Sequence, residues 1–167
     1  MPRATIYGTG IEYELHGKEG DPAIALTPGG RFTMDVPGLR EFAQELVKGG
    51  RRVLLYDRPN CGYSDVCLEG ESESETQADR LAGLIRHLDL GPTVIAGGSG
   101  GARVSLLAAS RNPDICSHLA IWWISGGPVG LAGLTWFYCG DQIAAASKGG
   151  MEAVVQLPSW ADQIARN

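Results

Sequence analysis

A serine flanked by four glycines is the pattern with the clearest chemical meaning in this sequence. The stretch Gly97-Gly98-Ser99-Gly100-Gly101 fits G-x-S-x-G and joins a predicted strand directly to a predicted helix. Glycines two residues before and after the serine remove side chains that would clash in a sharp turn. The start of the helix directs backbone N–H groups to the same place, which favours a developing oxyanion. The pattern predicts Ser99 as a nucleophile and the Gly100 amide as an oxyanion donor.

Two other interpretations of this turn are an ordinary glycine-rich junction and a phosphate-binding loop. A dinucleotide fingerprint, G-x-G-x-x-G, would need glycine at 103 after Gly98 and Gly100, but Arg103 stands there. The sequence also contains no G-x-x-x-x-G-K-[ST]. The turn follows the fifth predicted strand, whereas a dinucleotide fingerprint normally follows the first. The nucleophile interpretation is therefore favoured over a phosphate loop.

A second turn, Thr27-Pro28-Gly29-Gly30-Arg31, follows the third predicted strand. An oxyanion hole beside such a serine takes its second backbone donor from this loop. We expect that donor to be Gly30, with Arg31 as the alternative, and an ordinary Pro-Gly turn is the other interpretation. The Arg31 side chain either holds an anionic substrate group or is a solvated charge.

A third polar turn, Asp57-Arg58-Pro59-Asn60-Cys61-Gly62-Tyr63-Ser64-Asp65, follows the fourth predicted strand. Here a structural role is favoured over acid–base chemistry. We expect Asp57 and Asp65 to accept hydrogen bonds that hold the turn together. Asn60 is expected in a left-handed conformation, which asparagine tolerates better than most residues.

Alternating and continuous apolar runs in the sequence predict the strands from which these turns depart. Apolar and polar residues alternate from Ile11 to Leu15, which with residues 5–7 predicts an antiparallel hairpin. Short apolar runs predict buried strands at residues 23–26, 53–56 and 93–96, and a sixth strand from Leu119 to Ile124.

Helical spacing of apolar residues predicts three helices between the strands. The first is expected to be capped by Asp35 and to end at Gly49-Gly50. A capping box of Ser72 with Glu75, or of Ser74 with Gln77, begins the second. The succession predicts an α/β fold with a mostly parallel sheet covered by helices on both faces.

Composition narrows the function classes. The 167 residues suit one domain, and 14 Lys+Arg against 19 Asp+Glu give a net charge of −5, which argues against a nucleic-acid partner. Apolar runs are too short for a membrane span, and no basic, apolar leader opens the sequence. The four cysteines lack metal-ligand spacing, so we expect free thiols, a cytoplasmic location, no metal and no cofactor. The expected partner is a small-molecule substrate.

Together the three turns resemble those of the α/β-hydrolase superfamily, in its branch of esterases, C–C bond hydrolases and proline-iminopeptidase-like enzymes. The resemblance covers about residues 5–128. It implies a serine hydrolase of a small ester, amide or activated C–C bond, with Ser99 as nucleophile and Gly30 and Gly100 as oxyanion donors. It also implies a core at residues 1–128 and the start of a helical lid at residues 129–167.

The sequence departs from the family in one large respect. Family members carry the triad acid and histidine on two later strands, in the order Ser, acid, His. After Ser99 the only histidine of this sequence is His118. The chain therefore resembles the N-terminal part of such an enzyme, either a natural truncation or a fragment. The alternative function is a non-catalytic remnant that binds a ligand or a partner chain.

Chain direction predicts that the three histidines lie at the edge of the sheet opposite to the edge where Ser99 lies. His16 leads into the third strand, His87 ends the helix before the fifth, and His118 directly precedes the sixth. Ser99 follows the carboxyl end of its strand, at the opposite edge, where open α/β sheets place their ligands. We therefore expect none of the histidines to contact Ser99.

The sixth strand is expected at an edge of the sheet. In the family its outer neighbour is a seventh strand, which this sequence lacks. An apolar edge predicts association through Leu119 to Ile124, cover by the following helices, or poor solubility. Most of five nearby aromatic residues are expected to pack in the core or lid rather than to form a substrate cage: Trp122, Trp123, Trp136, Phe137 and Tyr138.

Overall fold

The computed structural model describes residues 1–124, 127–158 and 160. The chain divides into two compact units, Met1–Ser125 and Gly126–Asn167.

The first unit is built on a six-stranded sheet with helices packed against it. Along the chain, the elements are β1 (Arg3–Ile6), β2 (Thr9–His16), β3 (Ala23–Thr27), α1 (Leu39–Lys48), β4 (Arg52–Tyr56), α2 (Glu73–His87), β5 (Thr93–Gly98), α3 (Gly100–Arg111), a 3-10 turn (Pro113–Ile115) and β6 (Cys116–Trp122). The spatial order of the strands is β1-β2-β4-β3-β5-β6. β1 pairs antiparallel with β2, and β2 pairs antiparallel with β4. The remaining pairs are parallel, so the expected α/β fold with an antiparallel hairpin is present.

Alternating side chains along β4 divide the core between the two faces of the sheet. Leu54 and Tyr56 point to one face, where they belong to the apolar cluster that includes residues of α2 and α3. Val53 and Leu55 point to the other face and cluster with Ala43 of α1. Every one of these β4 side chains is at most 1% exposed. Such a strand reads as a continuous apolar run because both faces of the sheet are covered, as predicted.

Helix α1 begins later than the sequence indicates. Its N-cap is Gly38 in a left-handed conformation (φ 86°), so the expectation that Asp35 caps the helix is wrong. Asp35 instead forms an ion pair with Arg40 at 2.7 Å. At α2 the first of the two capping boxes is the one formed, since Ser72 accepts a hydrogen bond from the Glu75 amide at 3.3 Å.

Strand β6 begins three residues earlier than expected and ends two residues earlier. It runs over Cys116–Trp122 rather than from Leu119 to Ile124. Pairing with β5 fixes the early start, because Cys116 and His118 lie opposite Thr93 and Val94. Trp123 ends the strand with a φ of 51°. β6 lies at one edge of the sheet, as predicted.

The second unit contains helix α4, Gly127–Val155. The helix is interrupted at Gly149 and Gly150, whose φ/ψ angles of −146°/22° and 65°/−162° are not helical. Among the described residues, no helix is long and apolar enough to cross a membrane.

The expectation that most of the five aromatic residues pack in a core or lid is wrong for the described structure. All are exposed, from 43% for Trp122 to 80% for Trp123. Phe137 and Tyr138 contact each other edge to face, with ring centroids 5.0 Å apart.

Candidate active site

Ser99 occupies a strained turn between β5 and α3. Its φ/ψ angles of 54° and −121° lie outside the regions that residues with a side chain ordinarily adopt. The turn is held on both sides, because the Ser99 amide donates to the Trp122 carbonyl at 3.1 Å and the Ser99 carbonyl accepts from Ala102 N at 3.0 Å. The sharp strand-to-helix turn predicted at Ser99 is therefore present. The surrounding hydrogen bonds fix Ser99 in this conformation.

The glycines around Ser99 allow three backbone segments to approach one another. A Cβ on Gly97 would lie 2.7 Å from the Gly101 carbonyl group, and a Cβ on Gly98 would overlap the Trp122 indole. A Cβ on Gly101 would overlap the carbonyl oxygen of Thr27 and lie 2.7 Å from that of Pro28. Real Cβ atoms essentially never approach this closely. The glycines are thus required by the close contact of β5, α3 and the end of β3.

The loop after β3 faces the Ser99 turn. A Cβ on Gly29 would lie 3.2 Å from the Ser99 Cβ, and a Cβ on Gly100 would lie 3.2 Å from the Gly30 amide nitrogen. Gly30 adopts a φ of 49°, which glycine tolerates. Within residues 1–124, the amides of Gly30 and Gly100 donate to no protein acceptor. Both residues line one cavity of about 260 Å³.

The Arg58 side chain holds the loop after β3 through hydrogen bonds to its carbonyl groups. This side chain is only 3% exposed. Its Nη2 donates to the carbonyl oxygens of Gly30 at 2.6 Å and of Gly29 and Phe32 at 3.4 Å each. Its Nη1 donates to Gln77 Oε1 on α2 at 3.3 Å. Because one guanidinium spans three carbonyls of the loop, Arg58 fixes the position of Gly30 relative to the sheet.

The polar turn after β4 is held together by the groups expected to do so. The buried Asp57 carboxylate accepts from the amides of Met34 at 2.8 Å and Tyr63 at 3.0 Å. Asp65 accepts from the Gly10 amide at 2.8 Å and pairs with Arg3. Asn60 has the expected left-handed conformation, with a φ of 66°. These carboxylates bind backbone amides and an arginine, which is a structural use.

Tyr56 is a buried residue whose hydroxyl lies next to Thr27, where the loop after β3 begins. Burial raises the pKa of Tyr56 to about 12, and its hydroxyl lies 3.1 Å from Thr27 Oγ1 at the end of β3. The phenol therefore stays neutral at ordinary pH. It supports the strand end from which the loop departs.

None of the three histidines contacts Ser99. His16 lies at the end of β2, with its Nε2 2.9 Å from Glu14 Oε2, and His87 ends α2. His118 lies inside β6 rather than before it, which corrects its expected place, and it pairs with Val94 near the start of β5. Ser99 comes five residues later, past the other end of β5, a distance of roughly 17 Å at about 3.3 Å per residue. Across the described residues, the Ser99 hydroxyl has no side-chain hydrogen-bond partner.

Arg31 lines the same cavity as Gly30 and Gly100. Its side chain is 73% exposed and pairs with Glu73 at 3.1 Å. Arg58 and Arg103 also line the cavity, and neither was predicted from the sequence to belong to this site. Arg103 stands four residues after Ser99, one helical turn into α3, so helical periodicity places it on the side of the helix nearest the serine.

Comparison with known proteins agrees with this geometry. A family model described as alpha/beta hydrolase fold matches residues 31–122, which is more than half of the chain. The chain is 28% identical over 130 residues to a 2-hydroxy-6-oxononadienedioate/2-hydroxy-6-oxononatrienedioate hydrolase of Cupriavidus pinatubonensis, covering 75% of this chain and 44% of the relative. It is 38% identical over 81 residues to an sn-1-specific diacylglycerol lipase of Mus musculus, covering 48% and 25%.

A solved structure extends the likeness over most of the chain. An alpha/beta hydrolase enzyme from a Medee basin deep-sea metagenome library superposes with a TM-score of 0.69 at 21% identity, covering 94% of this chain and 55% of that one. The chain spans less than half the length of the two curated relatives, the Cupriavidus hydrolase and the mouse lipase. The matched family model, the six-stranded sheet and the strained serine turn together establish that this chain belongs to the α/β-hydrolase fold family.

Proposed function

We propose that the chain supplies the nucleophile and oxyanion hole of a serine hydrolase acting on a small ester, amide or activated C–C bond. Ser99 is the nucleophile, and the amides of Gly30 and Gly100 bind the oxyanion. The observation that carries the proposal is the strained Ser99 turn, with a φ of 54°, facing a loop whose Gly30 amide has no protein acceptor within residues 1–124. Two unbonded amides near the serine supply the oxyanion stabilisation that acyl transfer requires.

In the proposed reaction, the Ser99 hydroxyl attacks the carbonyl carbon of the substrate. The carbonyl oxygen becomes an oxyanion between the two amides, and the leaving group departs to give an acyl-enzyme that water then hydrolyses. Both steps need a general base within about 3 Å of the hydroxyl or one water away. Since the three histidines lie elsewhere, we propose that the base and its acid partner are not among these 167 residues.

The relatives support the reaction class but not one substrate. One is named as a hydrolase of nonadienedioates and the other as a diacylglycerol lipase, so the two act on chemically different molecules. We therefore propose only a broad substrate class for this chain, namely a small ester, amide or activated C–C bond. Arg31, on the cavity wall, is the proposed contact for an anionic substrate group. The free thiols of Cys61 and Cys67 favour a reducing compartment, and we propose the cytoplasm.

A second candidate function is a non-catalytic domain that binds a ligand or a partner chain. The observation that favours it is the Ser99 hydroxyl itself, which has no basic partner among the described residues. Without a base, the hydroxyl is a poor nucleophile.

Turnover of an activated ester separates the two functions. The measurement compares p-nitrophenyl butyrate hydrolysis by the chain and by a form extended through its downstream reading frame. Each form is compared with its own Ser99→Ala variant. The hydrolase proposal predicts little or no turnover by the chain alone and Ser99-dependent turnover by the extended form. Equal rates for the extended form and its Ser99→Ala variant would favour the non-catalytic domain.

A further inference from the structure

The cavity lined by Gly30 and Gly100 carries an excess of positive charge. Four charged side chains line it: Arg31, Arg58, Arg103 and Glu73. Glu73 Oε1 already accepts from Arg31 at 3.1 Å and from Asn60 at 3.2 Å. The charges of Arg58 and Arg103 therefore remain uncompensated at this wall, although the chain as a whole has a net charge of −5.

Neither of these two arginines has a carboxylate partner in the part of the chain that the structure describes. Arg58 contacts carbonyl and amide oxygens only, and its Nε is buried without any acceptor. Arg103 forms no hydrogen bond or ion pair within the described residues and is exposed at the cavity. A buried cation without an anionic partner is costly in a folded protein, so this wall is suited to a ligand that brings the missing negative charge.

Two helix N-termini reach the same cavity. Glu73, Ser74 and Gln77 come from the first turns of α2, and Gly100, Arg103 and Val104 come from the first turns of α3. Their dipoles add partial positive charge where the unbonded amides of Gly30 and Gly100 already lie. At about 260 Å³, the cavity is smaller than the usual range of about 300–1,000 Å³ for ligand pockets, so it suits a small ligand.

From this arrangement we propose that the substrate carries a carboxylate, held by the exposed Arg103 side chain, while the buried Arg58 adds positive charge behind the cavity wall. The inference rests on the proposed hydrolase function and names its substrate class. Guanidinium groups bind carboxylates through parallel N–H···O bonds, and a neighbouring Val104 provides apolar contact for the attached carbon chain. The scissile group then lies toward the Gly30 and Gly100 amides, and the carboxylate lies toward Arg103.

A binding experiment tests the substrate class without any turnover. The ¹⁵N-labelled chain is titrated with butyrate, butyramide and inorganic phosphate while the amide signals of Gly30 and Gly100 are followed. We expect saturable shifts with butyrate and at least about tenfold weaker binding of butyramide, since charge-assisted bonds of this kind change affinity by tenfold or more. Tighter binding of phosphate than of butyrate would overturn the carboxylate assignment.

Matched variants assign the site. Arg103→Gln is expected to weaken butyrate binding at least about tenfold. Arg51→Gln removes the same charge from an exposed position before β4 and is expected to leave binding unchanged. Equal affinity of wild type and Arg103→Gln would overturn the proposal.

The Ser99→Ala variant separates this proposal from the proposed function. It is expected to bind butyrate as the wild type does, because the proposed carboxylate position is at Arg103 and the cavity lining does not include Ser99. Arg103-dependent binding by the chain, together with an extended form that shows no Ser99-dependent hydrolysis, would support the carboxylate site and refute the hydrolase. Ser99-dependent hydrolysis with Arg103-independent binding would do the reverse.

Discussion

The backbone carbonyl of Thr27 lies directly against Gly101, so that a side chain at position 101 would overlap it. This contact joins the end of β3 to the first turn of α3 and brings the two proposed oxyanion donors together. Position 101 is therefore the most direct test of the packing around Ser99.

Replacing Gly101 by alanine is expected to destabilise the fold, although alanine is the better helix former. The new methyl group must displace the backbone of residues 27 and 28, which costs about 1–3 kcal/mol as an overpacked site. Gly133→Ala in helix α4 is the matched control, because a Cβ there meets nothing within 4 Å. That variant is expected to gain about 0.5–1 kcal/mol from helix propensity. Urea unfolding measures both, and a stable Gly101→Ala variant would contradict the close contact.

The parts of the fold that could be predicted from sequence are those with a local signal. Apolar runs that end in glycine-rich turns revealed the strands, and the glycines around Ser99 revealed the strained turn. The start of β6 gave no such signal, because Cys116, Ser117 and His118 form no apolar run and only pairing with β5 makes them a strand.

The role of Arg58 could not be predicted for a similar reason. Its backbone partners Gly29, Gly30 and Phe32 are 26 to 29 positions away in the sequence, and only the fold brings them to its guanidinium. Likewise the N-cap of α1 depends on the left-handed Gly38, while Asp35 matches the statistical preference for a cap but pairs with Arg40.

Arg58→Met is expected to loosen the loop after β3. The variant removes the donors to three carbonyls, so the Phe32 amide, which donates to Gly29 O at 3.1 Å, should exchange its hydrogen at least about tenfold faster, or about 1.4 kcal/mol. Arg58→Lys keeps the positive charge but offers a single donor nitrogen in place of the planar guanidinium, and it should give an intermediate rate. Arg86→Met, at an exposed arginine that pairs with Asp114, is the control. Unchanged exchange at Phe32 in Arg58→Met would show that other contacts hold the loop.

Stability is expected to fall between about pH 10 and pH 12 because of Tyr56. Burial raises the pKa of Tyr56 to about 12 in the folded chain, against about 10 when unfolded. The neutral phenol thus contributes fully below pH 10, and up to about 3 kcal/mol is lost as the pH rises to 12. Urea unfolding at pH 8 to 11.5 checks this.

Tyr56→Phe should flatten that loss, while costing about 1 kcal/mol at neutral pH for the hydrogen bond with Thr27. Tyr63→Phe, at a tyrosine that is 62% exposed, should leave the alkaline slope unchanged. Identical slopes for wild type and Tyr56→Phe would argue against a role for the buried phenol.

Self-association is expected through β6. The strand lies at the sheet edge, and Leu119 and Trp122 on it are 39% and 43% exposed. Unpaired edge strands promote pairing between chains, and a lysine on the edge opposes it. Light scattering should therefore show concentration-dependent association that Leu119→Lys reduces and that Leu68→Lys, at a leucine 90% exposed in a loop, does not. A wild-type chain that stays monomeric at all concentrations would count against this edge as an interface.

We propose that Ser99 sits in a preformed oxyanion site and lacks only a base. The most direct measurement is labelling of the chain with a fluorophosphonate, with and without added imidazole as an external base, followed by peptide mapping. Ser99→Ala tests the site, and Ser74→Ala, at a serine that lines the cavity of Gly30 and Gly100, is the control. We expect slow labelling that imidazole accelerates, located on Ser99 and lost only in Ser99→Ala. Labelling on another serine, or none at Ser99 even with imidazole, would contradict it.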